Sequence, residues 1–415
     1  MNGPGTPLTT SEVRGPFASR ERVAALDALR GIAVAGIALM NVYIYALPPA
    51  AYFNPAAAGS ESPLDWIVWG LSFVFVEDKF RSLFAMLFGA GVAILLDRAR
   101  DSGDGHPIHS HVSRMLVLFA IGAAHAVFLA NNDVLRLYAM AGLFVPLFLR
   151  LDARKLLIAG GILMAVHALA GSVIAYQWLT AEPGSALAQM PAQIFGSDPA
   201  ALDYARAVGM ESFGERLARR IYGFGAALET QIPGIPSALG TMLVGAALWR
   251  NGLLKGEWPR ARCIALAWKM TLVALPPLLA LMALDWRAGF SGAMVGPVAL
   301  FWSLPFDLLL GVGYAALAMA LFANRDSAVR RILAAAGRLS LTNYLLSSVV
   351  FALLFYSWGL GLFATMPRSS AFALAFVPIV LMMAWSQPWL ARFRQGPFEW
   401  LWRGFARGRF APILR

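Results

Sequence analysis

The sequence predicts an all-α membrane protein: a polytopic helical bundle of about ten transmembrane helices with both termini in the cytoplasm. Three observations lead there. The chain has 415 residues, of which 59% are hydrophobic and 14% charged, against roughly 25% charged in soluble domains. Mean hydropathy is +0.63, and the apolar residues come in uncharged blocks about long enough to cross a bilayer. Arginine clusters separate alternate blocks. The net charge of +11 therefore reads as anchoring charge beside membrane segments, not as a nucleic-acid surface.

The blocks are Gly31–Leu47, Phe80–Leu96, Met115–Ala130, Val134–Leu149, Leu156–Leu179, Ile232–Trp249, Cys263–Leu284, Val295–Ala323, Leu339–Trp358 and Ala371–Leu390. Leu64–Val76 is apolar but short, and reads as an interfacial or re-entrant helix. Basic clusters at Arg14/Arg20/Arg22, Arg98/Arg100/Arg114, Arg150/Arg154/Lys155, Arg250/Lys255/Arg260/Arg262, Arg325/Arg330/Arg331/Arg338 and Arg392/Arg394/Arg403 mark the cytoplasmic connections. Arg219 and Arg220, on the opposite side, fit that rule poorly. Residues 1–24, rich in Gly, Pro, Ser and Thr, are expected to form a disordered cytoplasmic tail and not a cleaved signal. Residues 25–179 make an N-terminal membrane half, 180–230 an extracytoplasmic loop and connector, 231–395 a C-terminal half and 396–415 a cytoplasmic tail. The single cysteine, Cys263, excludes an internal disulfide and a cysteine-based metal cluster.

Ionisable residues inside apolar helices are costly and need a partner, a water-filled cavity or a task. His125 lies about eleven residues beyond Arg114, roughly 16 Å up its helix. Asp133 follows at the rim, in the Asn131-Asn-Asp133 turn, where it can cap the next helix with Arg136 three residues on. Such a histidine either serves as a general base steadied by the carboxylate or bonds a helix carbonyl. Lys79 and Arg81, in Glu77-Asp-Lys-Phe-Arg81, either bind an anionic substrate or close an ion-pair knot with Glu77 and Asp78. Gly89 and Gly91 allow close helix packing. Arg30, paired with Asp27 and sharing a helix face with Asn41, suits a phosphate-bearing donor or simply snorkels. In the polar run Gly337-Arg-Leu-Ser-Leu-Thr-Asn343-Tyr344, several residues must face protein rather than lipid, and interhelical hydrogen bonds are the commoner outcome for such residues. Asp307 is either functional or bonded to freed backbone, and His167 reads as structural. His106, His109 and His111 sit in an expected cytoplasmic loop, and no metal site is expected.

The stretches Leu26-Asp-Ala-Leu-Arg30-Gly, Lys79-Phe-Arg-Ser-Leu-Phe, Gly-Ala-Ala-His125-Ala, Asn-Asp133-Val-Leu-Arg-Leu-Tyr138-Ala, Gly337-Arg-Leu-Ser-Leu-Thr-Asn-Tyr344 and Gly396-Pro-Phe-Glu-Trp-Leu-Trp402 resemble the YeiB-like family of bacterial inner-membrane proteins. That family is in turn distantly similar to the transmembrane acyltransferases. These pass an acyl group from cytoplasmic acyl-CoA to an acceptor, commonly a sugar, beyond the membrane. The resemblance implies His125 as catalytic histidine and Asp133 as its partner. It implies Arg30 and Asn41 near the donor path. Lys79 and Arg81, at the expected outer mouth, and Arg136, Tyr138, Asn343 and Tyr344 are read as substrate-binding residues. Family members often carry Gly-Asp at the turn where this chain has Asn132-Asp133, a less permissive backbone.

The reading is a multi-pass acyltransferase of the bacterial inner membrane. Acyl-CoA is its donor substrate, and an envelope sugar or lipid-linked hydroxyl its acceptor. The bilayer is its only certain partner, and nucleic acid is excluded. It requires that His125 be reached by a tunnel. The rival is a carrier of a small anionic or lipid-linked solute using the same buried charges.

Overall fold

Each apolar block is helical in the computed structural model, which describes residues 16–101, 107–130, 133–323 and 325–415. The helices are α1 (Pro16–Ala46), α2 (Pro63–Phe75), α3 (Lys79–Asp101), α4 (Pro107–Phe128), α5 (Val134–Phe148), α6 (Ala153–Leu179), α7 (Ala186–Phe195), α8 (Pro199–Gly209), α9 (Phe213–Tyr222), α10 (Phe224–Glu229), α11 (Ile235–Arg250), α12 (Arg260–Arg287), α13 (Gly292–Pro297), α14 (Leu304–Phe322), α15 (Ala328–Arg338), α16 (Ser340–Phe355), α17 (Arg368–Leu374), α18 (Phe376–Arg392) and α19 (Pro397–Arg407). Among the described residues, eight stretches are long and apolar enough to span a membrane. A ninth counts if α15 and α16, bent by 82° at Leu339, form one span. This is a multi-pass membrane protein.

Several sequence expectations change. The helix containing the first span begins at Pro16, inside the region expected to be disordered; residues 1–15 lie outside the described residues. Leu64–Val76 does not stand apart at an interface: α2 and α3 belong to one apolar stretch, Pro63–Ala99, and α2 packs against α12 and α17. The fourth expected span, α5, has only 15 residues. The expected span Val295–Ala323 is broken by a π-helical turn at Val298–Trp302. The 180–230 connector holds four short helices, α7 to α10. His109 and His111 belong to α4, not to a loop; His106 lies outside the described residues.

Lipid gives helices no hydrophobic reason to associate, so close backbone packing must hold them. The α3–α11 crossing shows how. A Cβ on Gly89 would meet the Met242 carbonyl oxygen at 2.0 Å, and one on Gly245 would meet that of Met86 at 1.9 Å. Gly91 differs: nothing lies within 4 Å of its would-be Cβ. Gly245→Ala is therefore expected to cost about 1–3 kcal/mol through forced separation of the helices. Gly91→Ala should be neutral, or stabilising by up to about 1 kcal/mol through helix propensity. Thermal denaturation in detergent reads the difference. The outer helices are lipid-facing: on α6, Ile158, Ile162, Val166, Leu169, Val173 and Tyr176 are exposed at helical spacing.

The arginines that contradict the charge rule are occupied within the protein. Arg216 donates to the Val208 and Gly209 carbonyls at the end of α8 and lies 4.0 Å above the Tyr356 ring. Arg220 donates to the Tyr356 hydroxyl and to the Val127 carbonyl near the end of α4. Arg219 pairs with Glu211. Helix C-terminal carbonyls attract cations, so these three guanidinium groups serve the cap formed by α7 to α10.

Candidate active site

Two cavities enter the bundle from opposite ends. The larger, about 690 Å³, has a rim carrying Arg30, Arg98, Arg114, Lys255, Arg338, Arg394 and Arg403 against Asp27, Glu257 and Glu399, and a throat of Phe84, Leu87, Phe88, Met115, Leu118 and Leu135. Basic residues expected on separate cytoplasmic connections thus converge on one opening. His111 and Gly91 also line it; the His111 Nε2 lies 2.9 Å from the Gly142 carbonyl oxygen. The smaller cavity, about 200 Å³, is lined by polar groups including Asn41, Arg81, Asp133, Thr230, Gln231, Ser237 and Tyr344.

The same helices wall both. On α3, Arg81 faces the small cavity and Phe84 the large one; on α5, Val134 and Leu137 face the small cavity and Leu135 and Tyr138 the large one; on α16, Tyr344 and Leu341 divide likewise. Side chains of α3, α5 and α16 thus form a partition between them. Tyr138 sits in it, its hydroxyl donating to the Arg81 carbonyl at 2.8 Å and its ring stacked on Phe84.

Beside this partition lies a buried polar cluster. The His125 Nδ1 is 2.8 Å from Asp133 Oδ1 and its Nε2 is 2.9 Å from Ser348 Oγ. With Nδ1–H donating to the carboxylate, Nε2 is left to accept the seryl proton. Asp133 is the N-cap of α5, as its place in the turn predicts, accepting from the Arg136 backbone N–H at 2.9 Å. The Gln231 side chain donates to the Asp133 carbonyl, pinning the turn from the connector. Residues 131–132, and with them the departure at Asn132, lie outside the described residues. The expected tunnel to His125 is not found: the imidazole is buried and forms part of neither cavity wall. Asp133 and Tyr344 link it to the small cavity, the latter with its ring 5.1 Å from the imidazole.

The other expected site residues divide. Arg30 lines the large cavity while paired with Asp27 at 2.6 Å. Asn41 lines the small one, so it stands away from the donor path assigned to it. Arg81 lines the small cavity, held by Asp78 at 2.8 Å. Lys79 reaches no cavity: it is buried against Asp307 at 2.7 Å and donates to the Phe73 carbonyl. Of the expected local ion-pair knot, the Arg81–Asp78 half is present, whereas Lys79 pairs across the bundle. Arg136 is fully buried outside both walls, its guanidinium over the Phe224 ring. Asn343 is consumed by structure, donating to the Ala336 carbonyl and Ser386 and accepting from the Trp385 indole. His167 donates to the Leu300 carbonyl at the π turn.

The C-terminal motif also resolves. Glu399 accepts from the backbone N–H groups of Leu341 and Thr342 and from the Thr342 hydroxyl, capping α16 from another helix. Burial pushes its carboxyl above the usual range against those bonds. Burial lowers the Arg403 guanidinium, which Glu399 partly offsets.

Sequence reasoning missed Ser348. A signal existed: Ser340, Tyr344 and Ser348 recur every four residues, a polar stripe on one face of an apolar helix.

Comparison with known proteins places the whole chain. It is 31% identical to the uncharacterized protein YeiB of Escherichia coli (strain K12) over 410 residues, covering 95% of this chain and 98% of that one. The chain belongs to the YeiB-like family. A second member, the uncharacterized protein YxaH of Bacillus subtilis (strain 168), is 25% identical over 96% of this chain and 98% of its own length. Residues 248–409 match the family model described as a protein of unknown function, DUF418. The match to YeiB spans both halves, so the two cavities and the partition lie within the shared region.

Proposed function

We infer that this protein is an acyltransferase of the bacterial inner membrane, moving an acyl group from acyl-CoA at the arginine-rich, cytoplasmic end to a hydroxyl on a sugar or envelope glycan beyond it. The observation that carries the reading is the pair of cavities walled by the same helices, with His125 buried behind Asp133 and Tyr344, which line the smaller one. Their linings differ, which favours two ligands over one. A basic rim above an apolar throat suits a phosphorylated amphiphile; a small chamber with Asn41, Arg81, Thr230 and Gln231 set among apolar residues suits a hydroxylated acceptor. A carrier moves one solute through both, and its two cavities would share a chemistry.

In this mechanism the rim arginines hold the donor's phosphates and its acyl chain lies along Phe84, Phe88 and Leu118. His125 removes a hydroxyl proton, and Asp133 fixes its tautomer and stabilises the imidazolium. Neither cavity reaches His125 in this structure, so the reading requires Tyr344 to turn aside and open a way past Asp133. Arg81 and Asn41 orient the acceptor.

Everted membrane vesicles supplied with radiolabelled acetyl-CoA or palmitoyl-CoA test this. Transfer leaves label covalently bound to an acceptor, whereas transport of an unchanged solute would overturn the reading. Gly91→Phe extends a ring into the open throat and is expected to abolish most transfer with an unchanged thermal midpoint.

A further inference from the structure

We propose that the hydroxyl activated by His125 belongs to the chain itself: Ser348 is a nucleophile that carries the acyl group as a seryl ester. Like His125 it is buried and lines neither cavity, so the partition must open to admit the thioester. The inference rests on the acyltransferase reading and specifies its course. Asp133, His125 and Ser348 stand in one line of hydrogen bonds, 2.8 Å and 2.9 Å long, the arrangement by which an imidazole activates a serine. The competing bond from Ser348 Oγ to its own helix, at the Tyr344 carbonyl, is longer at 3.4 Å. Ser348 comes from α16 and the other two from α4 and the turn into α5, so three separate segments are needed to build the line. A further polar group lies at hand. The Tyr45 hydroxyl is buried without a hydrogen-bond partner of ordinary geometry and adjoins Ser348. It is the donor available to a developing oxyanion.

The steps balance. Ser348 Oγ attacks the thioester carbonyl carbon as its proton passes to His125 Nε2. The C–S bond breaks, and the CoA thiolate leaves with that proton. In the second half, an acceptor hydroxyl gives its proton to His125 and attacks the seryl ester. The bond from the acyl carbon to Ser348 Oγ breaks, and the serine recovers its proton. The sequence is ping-pong: donor thiol departs before acceptor is consumed.

The test uses the full chain in membranes and a short-chain alkyl fluorophosphonate bearing an alkyne, with the adduct located by peptide mass spectrometry. The expected result is an adduct on Ser348, absent from Ser348→Ala and lost from His125→Gln. It should persist in Ser347→Ala, whose hydroxyl only bonds its own helix. Tyr45→Phe should slow labelling by about 10²–10³-fold. A serine that merely satisfies the imidazole gives no adduct. Absence of a Ser348 adduct from the wild type, or full acyl-CoA transfer by Ser348→Ala, overturns the seryl ester and leaves His125 acting directly on the acceptor. An adduct without any transfer from acyl-CoA upholds the nucleophile and overturns the donor reading instead.

Discussion

Lys79→Met alone is expected to destabilise the protein by about 3–5 kcal/mol, because it strands the Asp307 carboxylate in the bundle. The two side chains are each 1% exposed and 2.7 Å apart, with no water-facing route for either charge. Lys79 also donates to the Phe73 carbonyl, so the ammonium joins α2, α3 and α14 at one point. The double variant Lys79→Met/Asp307→Leu removes both charges together and should recover most of the loss. Reversible denaturation in mixed lipid–detergent micelles measures both. The same pair of variants decides what the lysine is for. A residue that binds substrate would lose function at unchanged stability, and the double variant would not restore it.

His125→Gln is expected to lower acyl transfer by about 10²–10⁴-fold, the span associated with losing a general base, while the folded protein still accumulates in the membrane. Glutamine keeps a polar group near Asp133 and Ser348, which limits the cost of leaving buried partners unmet. Asp133→Asn should impair transfer too while preserving the α5 cap, since asparagine caps helices well. Asp133→Ala loses the cap as well and should cost about 1 kcal/mol more in stability. Quantifying label transferred per folded molecule separates the chemical loss from the structural one. Equal transfer by the wild type and His125→Gln would remove the imidazole from the mechanism.

Much of the candidate site was legible because it is local. His125 and Asp133 are eight residues apart across a tight turn, so a helical pitch and a capping rule bring them together with no knowledge of the fold. The Asp27–Arg30 pair is readable for the same reason. Lys79 was misread because its electrostatic partner is in the other half of the chain; nearby Glu77 and Asp78 offered a false local solution. Asn343, expected among the substrate contacts, instead makes the hydrogen bonds that a polar residue in an apolar helix signals, and only the fold names its partners as Ala336, Trp385 and Ser386. Asn41 shares a helix with Arg30, yet a helix about as long as the membrane is thick touches different chambers at its two ends.

By itself the sequence determined that this chain lives in a bilayer, roughly where its apolar helices lie, and which residues carry charge that lipid will not tolerate. Those properties follow from hydropathy, turn chemistry and desolvation, each acting over one or two helical turns. The tertiary structure alone decided which buried charges neutralise one another, that Ser348 meets His125, and that two cavities share walls of α3, α5 and α16. Such contacts depend on how helices cross, and in a membrane crossing is set by backbone approach at positions such as Gly89 and Gly245, which no local pattern assigns to a partner.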